Sequence, residues 1–438
     1  MISKIFMREN LMKKTILILL MMLWSVAACA STKDNAIKDK KAYQDYLVWL
    51  GDLKKEMVQK GIKQETIDKV YGENDFYHEK PQAVLKDRKQ AEFVMVSSEY
   101  LDRVACKKRA EQARAKYLEL KKILDKVEAK YNLPAEYIVA FWGAETNFGS
   151  NFGGYNVIDA LTEMSYDKRR SDFFKKELFN ALKIVEDQNI EYQKMRGSWA
   201  GAMGHFQFMP STYNNYAVDF DGDGIADIWD SFDDAAASAA NYLTAIGWNK
   251  NFPWGWEVNL PWNFNYKVSG RDKFRTIHEW KKIGVTLKYD KDFKVADTTK
   301  AAIVTPEGKK GRAYLVTENF AKIMQWNRSE NYALAIGLLA DYTLSGRKWH
   351  SQSADNPKLK TDDVKRVQAF INKIGFARLE EDGQLGTKTK EAIKLLQKRA
   401  LLVPDGYPDS RLLAKIESYE KGSGFAIPVP ERKLHKSK

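Results

Sequence analysis

Apolar side chains recur at helical spacing over most of the chain. Between residues 37 and 130, Tyr43, Leu47, Leu50 and Leu53, and later Ile123, Val127 and Tyr131, fall three or four positions apart amid dense charge, which predicts amphipathic helices. From Phe252 to Val316 the pattern changes: Trp254-Gly-Trp256-Glu-Val258 alternates, and turn-forming and β-branched residues multiply, so a small strand-rich insertion is expected. Helical spacing returns through Phe320, Ile323 and Met324 and from Tyr332 to Leu344. Ser351 to Pro357 is polar and ends in proline, the composition of a linker. Residues 361 to 418 then carry amphipathic helical patterns around Asp382-Gly383 and Gly386, a separate small helical unit. The expected fold is mainly α with a minor β part (α+β), and 438 residues exceed what one ordinary core serves.

The first residues read as a targeting segment. Lys13 and Lys14 precede an apolar stretch from Thr15 to Val26 that is too short to cross a bilayer, and Ala27-Ala28-Cys29 follows. Val26-Ala27-Ala28-Cys29 resembles the bacterial lipobox, so residues 1–28 are expected to be a lipoprotein signal, Cys29 to be acylated, and residues 29–36 to form a tether. Ala30, not Asp, follows the cysteine; by resemblance to lipoprotein sorting this favours the outer membrane, facing the periplasm. Cys106 is then the one thiol left, with no internal disulfide partner, and is expected to be a small apolar residue on a helix. The formal charge is +13; the first 28 residues hold four cations and one anion, leaving 13 − 3 = +10. Such a surface seeks an anionic partner. No nucleic-acid-binding signature is present, which leaves cell-wall polymer or an anionic membrane surface.

One acidic residue interrupts an apolar helix. Pro134 suits a first helical turn, and Ile138, Phe141 and Trp142 lie at i, i+3 and i+4; Glu145 takes i+7. A carboxyl on an apolar face is costly unless paired or kept protonated. Periodicity leaves two readings open: a general acid with a raised pKa, or a buried glutamate satisfied by an arginine or by backbone donors.

The segment Ala140-Phe-Trp-Gly-Ala-Glu145-Thr-Asn-Phe-Gly149 resembles the active-site segment of the membrane-bound lytic murein transglycosylase B family. Arg169-Arg170, Gly197-Ser-Trp-Ala-Gly-Ala-Met-Gly204, Gln207-Phe-Met-Pro-Ser211, the Asp219 loop, Ala240-Asn-Tyr-Leu243 and Gly247-Trp248 recur in order, so the resemblance covers roughly residues 40 to 345. It implies a lysozyme-like catalytic domain over residues 37–350. It also implies cleavage of the β-1,4 bond between N-acetylmuramic acid and N-acetylglucosamine in peptidoglycan, with Glu145 as single acid and base and a 1,6-anhydro product. By motif matching it gives substrate-binding roles to Arg169, Arg170, Ser198, Gln207, Trp326, Asn327 and Tyr332. Trp326 stands where the family commonly has tyrosine, which keeps stacking and loses the hydroxyl. His205-Phe206 replaces a pair that is usually polar or small, and a lone histidine there is expected to be packed or solvated. Ordinary glycosidases use two flanking carboxylates; Asp159 and Glu163 are the nearest downstream acids, and a solvated or helix-stabilising role is expected for both. A muramidase-type hydrolase and a non-catalytic, lipid-anchored wall-binding scaffold are the alternative readings.

Asp219, Asp221 and Asp223 with Gly224 and the carbonyl of Ile225 match positions 1, 3, 5, 6 and 7 of an EF-hand-like loop. Asp230 stands in place of the closing Glu; Asp233 and Asp234 are alternatives, of which the resemblance favours Asp234. A structural Ca²⁺ is expected, and no cofactor for the chemistry. After a linker at 351–360, residues 361–420 resemble the small three-helix peptidoglycan-binding domain through Asp382-Gly-Gln-Leu-Gly386-Thr-Lys-Thr389 and the helix ending at Gln397. That implies avidity for wall polymer. Residues 421–438 are expected to form a basic tail.

Overall fold

A computed structural model describes residues 40–89, 96–344, 349–350 and 359–422. The expected signal and tether with Cys29, the linker at 351–357 and the tail from residue 423 lie outside the described residues. No described helix is long and apolar enough to cross a membrane. The chain divides into two compact units, one of residues 1–88 and 154–202, the other of residues 89–153 and 203–438.

The first unit is built on the helices Val157–Tyr166 and Ser171–Asp187, joined by a helix over residues 40–59 and by Gln64–Tyr71. Val157, Ile158, Leu161, Phe174, Leu178 and Leu182 are fully buried between them. Polar groups in this interior are spent on backbone: Glu186 accepts the Lys63 N–H at 2.8 Å, and Glu163 accepts the Val84 N–H at 2.8 Å. Two short antiparallel strands, β1 (Tyr155–Asn156) and β2 (Arg196–Gly197), close the unit.

The second unit holds the buried helix Ala135–Thr146 at its centre. Tyr137 to Gly143 are all buried, so the three-residue stripe read from Ile138, Phe141 and Trp142 understates the burial; a helix enclosed on nearly every side has no polar face to mark a period. Pro134 stands one place outside the helix, with the extended ψ of 129° of a cap residue. Cys106 is likewise the extended residue before the helix Lys107–Glu119, and not part of a helix. The helix Glu330–Leu344, also buried over most of its length, lies against Ala135–Thr146.

The expected insertion is a five-stranded antiparallel sheet. Its strands β3 (Gly255–Asn259), β4 (Arg275–Thr276), β5 (Thr286–Leu287), β6 (Lys300–Val304) and β7 (Ala313–Val316) run in the order β4-β6-β7-β3-β5. Trp256 and Val258 face an apolar cluster with Ile277, Trp280, Ile303 and Leu315. Glu257, on the alternate face, is buried too, and is held by Lys288 at 2.5 Å and Arg312 at 2.8 Å.

Three helices, Thr361–Lys373, Thr387–Arg399 and Ser410–Glu420, close around Val367, Phe370, Ile393, Leu396, Leu412 and Ile416. The same clasp is used twice there. Gln368 donates to Asp382 Oδ1 at 2.8 Å and accepts the Gly383 N–H at 2.8 Å, while Gln397 donates to Asp405 Oδ1 at 2.7 Å and accepts the Gly406 N–H at 2.8 Å. Each turn passes through a glycine at positive φ, +77° at Gly383 and +82° at Gly406, which explains why Asp-Gly is the legible mark of the unit.

Gly337 lies where the helix Glu330–Leu344 crosses the fully buried Trp254, and a Cβ there would overlap the indole ring. Gly337→Ala is expected to lower stability by about 1–3 kcal/mol, checked by urea unfolding.

Candidate functional site

Glu145 occupies the last turn of the helix Ala135–Thr146. The chain leaves this helix through three successive residues at positive φ, Asn147 (49°), Phe148 (58°) and Gly149 (76°). Such a run is costly for side-chain-bearing residues and persists only where surroundings enforce it. Here the Phe148 N–H returns to the Trp142 carbonyl at 3.2 Å, the Gly149 N–H donates to Thr146 Oγ1 at 3.1 Å, and that hydroxyl donates to the His205 carbonyl at 2.8 Å. The His205 ring fills the space beside Gly149, where a Cβ would lie 2.7 Å from its Cε1. Its Nδ1 accepts the Trp142 indole N–H at 2.9 Å, and burial pushes its pKa down to about 4. His205 is thus a neutral packing residue, as expected of a lone histidine.

Two aromatic donors meet one oxygen of the Glu145 carboxyl. The Trp326 indole N–H donates to Oε1 at 3.0 Å, and the buried Tyr332 hydroxyl donates to the same atom. Among the described residues no donor meets Oε2. Burial raises the carboxyl pKa to about 7, against the pull of the Tyr332 and Trp326 hydrogen bonds. The position itself adds to this, since the partial negative charge at a helix C-terminus disfavours a carboxylate. The Tyr332 phenol is held well above its ordinary value by its own burial and by the Glu145 charge. Trp326 is fixed by rings on three sides, with centroids of Phe141 at 4.5 Å, Tyr242 at 5.1 Å and Phe208 at 5.4 Å.

Of the residues expected at the site, Trp326 and Tyr332 therefore meet Glu145. The hydroxyl lost at Trp326 is replaced by the indole N–H as donor. Asn327 is exposed just past the helix Glu318–Trp326. Gln207, at a φ of 52°, spends its amide hydrogens on the carbonyls of Phe152 and Gly204, both at 3.1 Å, and so holds loops. The remaining three belong to the first unit. Ser198 accepts the N–H groups of Ala200 at 3.3 Å and Ala202 at 3.1 Å. Arg169 and Arg170 are exposed and share Asp87, and Arg170 lies over the rings of Phe173 and Phe174. Asp159 pairs with His78 at 2.6 Å near the start of its helix. Glu163 is not solvated; it is buried and anchors the Val84 backbone.

Sequence reading passed over Tyr100. Its phenol is raised by burial and then by the Glu145 charge, with Arg103 and Arg109 opposing. A single tyrosine in a short charged helix, Ser97–Val104, carries no periodic signal that separates it from packing. Tyr242 lay inside a recognised motif, yet only the ring contact with Trp326 gives it a role.

A second cluster gathers Asp219, Asp221, Asp223 and Asp234, whose ligand-capable oxygens lie within 4.8 Å of one another. Asp230 and Asp233 are outside that group. Asp234 is fully buried, its oxygens accepting the N–H groups of Phe220 at 2.7 Å, Asp221 at 3.3 Å and Asp227 at 3.0 Å. Burial raises its pKa, and so does Asp221. The Ile225 carbonyl accepts the Asp227 N–H at 3.0 Å. Four hard oxygens at this spacing fit a Ca²⁺, whose 2.3–2.6 Å bonds place ligands up to about 5 Å apart.

Residues 46–341 match the family described as the transglycosylase SLT domain, and residues 360–416 match the one described as a putative peptidoglycan binding domain. Membrane-bound lytic murein transglycosylase B of Escherichia coli (strain K12) is 45% identical over 121 residues, 27% of this chain and 33% of that protein, so the match spans about a third of that relative's length. Among solved structures, SltB3 from Pseudomonas aeruginosa in complex with NAG-NAM-pentapeptide is 36% identical with a TM-score of 0.80, over 85% of this chain and 99% of that one. Escherichia coli lytic transglycosylase Slt35 in complex with calcium is 26% identical with a TM-score of 0.57, over 68% and 93%.

A carboxyl with a native pKa near 7 and an unfolded value near 4.3 binds more protons when folded, so stability falls as pH rises between those values. Glu145→Gln removes that loss. The variant is expected to match the wild type at pH 4 and to exceed it by about 3 kcal/mol at pH 7.5, read by denaturant unfolding at both pH values.

Proposed function

Since the chain belongs to the transglycosylase SLT-domain family, we propose that it is a lytic transglycosylase of peptidoglycan in which Glu145 is the one acid and the one base. The observation that carries this is the pair of donors on Glu145 Oε1. With one oxygen saturated, the proton of the neutral acid belongs on Oε2, and a raised pKa keeps it there near neutral pH.

That proton passes to the glycosidic oxygen as the C1–O4 bond of N-acetylmuramic acid breaks, leaving an oxocarbenium-like sugar and a carboxylate. The carboxylate, still steadied by Trp326 and Tyr332, takes the proton of the C6 hydroxyl as that oxygen bonds to C1. The acid is regenerated, no water is consumed, and the product is a 1,6-anhydro ring. Support for a single carboxylate comes from the surroundings: among the described residues the hydrogen-bond partners of Glu145 are Tyr332 and Trp326, neither of them acidic. Inverting and retaining hydrolases need a second one flanking the bond. SltB3 bound to NAG-anhNAM-pentapeptide supports the same product class.

Arg169, Arg170, Ser198, Gln207 and Asn327 are proposed to contact glycan or stem peptide. Arg169 and Arg170 would meet carboxylates in exchange for Asp87, and Ser198 keeps a hydroxyl hydrogen to donate. The unit at 361–420 holds the enzyme on its polymer, and Cys29 anchors it by lipid to the envelope, on the periplasmic face of the outer membrane. The calcium seen with Slt35 supports assigning Ca²⁺ to Asp219, Asp221, Asp223, Asp234 and the Ile225 carbonyl. Such an ion would offset four converging carboxylates and fix the loop, with no part in bond cleavage.

Mass spectrometry of digested sacculi should find anhydro ends with wild type, and Glu145→Gln should cut roughly 10²- to 10⁴-fold more slowly while still binding sacculi. Reducing muramic acid ends in place of anhydro ends would assign hydrolysis instead. Calcium is expected to raise the wild-type melting temperature, and the Asp221→Asn, Asp223→Asn double variant to lose that response in a calorimetric scan.

A further inference from the structure

Within the second unit, the C-terminal three-helix part is packed on the catalytic part by one helix face. Lys390, Glu391 and Lys394 all project from Thr387–Arg399 at i, i+1 and i+4. Lys390 Nζ meets Glu330 Oε1 at 2.6 Å, Glu391 meets Lys273 Nζ at 3.0 Å, and the buried Lys394 donates to the Ser269 carbonyl at 2.6 Å. Next to them Asp405 Oδ2 accepts the Lys309 N–H at 2.9 Å. A cavity of about 840 Å³ opens along this seam, reaching from Tyr100, Arg328 and Ser329 to Lys365 and Asp382.

Glu330 is the first residue of the helix that carries Tyr332. Its neighbour Ser329 takes the Tyr332 N–H on its hydroxyl at 3.2 Å, and Trp326 ends the preceding helix four residues earlier. The turn from Trp326 to Glu330 thus joins both donors of the Glu145 carboxyl, and its far end is gripped by Lys390. Side-chain exposures of 22% at Lys390 and 20% at Glu330 mark the pair as shielded from water, where an ion pair restrains more than an exposed one does.

We propose that Lys390 and Glu330 are positioning residues: by holding the first turn of the helix that bears Tyr332, the C-terminal unit sets the hydrogen bonds that orient the Glu145 carboxyl. This rests on the reading of Glu145 as the acid, and it adds a role in turnover to a unit otherwise understood as a wall anchor. Glu145 is met by Tyr332 and Trp326 through hydrogen bonds, and its charge raises the nearby Tyr100 phenol, which Arg103 and Arg109 lower. Losing the grip frees the donors, and the acid holds its proton to higher pH.

The test measures kcat on a soluble peptidoglycan tetrasaccharide at saturation, where capture by an anchor no longer limits the rate. Lys390→Met and Glu330→Gln should each lower kcat by about 3- to 10-fold, the double variant no further than the stronger single one, and the alkaline limb of the pH profile should move upward. Lys398→Met, exposed on the same helix, should stay at wild type. Wild-type kcat and pH profile in both single variants, or fully additive losses, would overturn the proposal. A carboxyl ¹³C NMR titration of Glu145, assigned by its loss in Glu145→Gln, decides the point without turnover: an upward midpoint in Lys390→Met supports the grip, and an unchanged one refutes it. Should the wild type fail to cleave, the functional reading falls while this titration still judges the pair.

Discussion

The site depends on a carboxyl that the fold has partly withdrawn from water and, among the described residues, given donors on one oxygen only. Desolvation raises the Glu145 pKa, and two hydrogen bonds to the charged form limit the rise to about 7. A group poised there can give a proton and take one back at similar cost, the requirement for a residue that acts as acid and base in one turnover. The burial of Ala135–Thr146 supplies the first half of this balance, and Trp326 and Tyr332 supply the second.

That balance explains features spread along the second unit. The left-handed run at Asn147, Phe148 and Gly149 ends the helix directly behind Glu145, so the carboxyl stands at a helix terminus. His205 holds that run by its carbonyl and by the shape of its ring, and Gln207 ties its own loop to Phe152. On the other side, the helix Glu330–Leu344 delivers Tyr332 at its first turn and is seated on the β-sheet region through Gly337 against Trp254. The segment leading into the strand-rich insertion and the helix bearing Tyr332 thereby meet at Trp254 and Gly337.

The sequence announced the helices, the inserted sheet and the repeated Asp-Gly turns because each has its own period or its own backbone requirement. Glu145 was legible as an acid in apolar company; the degree of burial was not, since Val139 and Ala140 are as enclosed as the stripe that marked the face. Asp234 joins Asp219, Asp221 and Asp223, where Asp230 and Asp233 do not, because it lies inside the first turn of Phe232–Ala245 and accepts backbone N–H groups of the loop. Tyr100 and the Lys390–Glu330 pair left no trace in the sequence, since relations between distant, unrelated elements, 60 residues apart for the pair, have no period.

Trp326 shows what is gained where tyrosine is the family's usual residue. A phenol can donate or accept, so its hydrogen bond to a carboxyl survives a change in which oxygen is protonated. An indole N–H can only donate. Trp326 therefore demands an unprotonated Oε1 in both states of Glu145, whichever role the Tyr332 hydroxyl takes. With the indole fixed as a donor on Oε1, the proton of the neutral acid has one seat, Oε2. In the proposed reaction that one oxygen would give its proton to the oxygen leaving with N-acetylglucosamine and take one from the C6 hydroxyl of N-acetylmuramic acid.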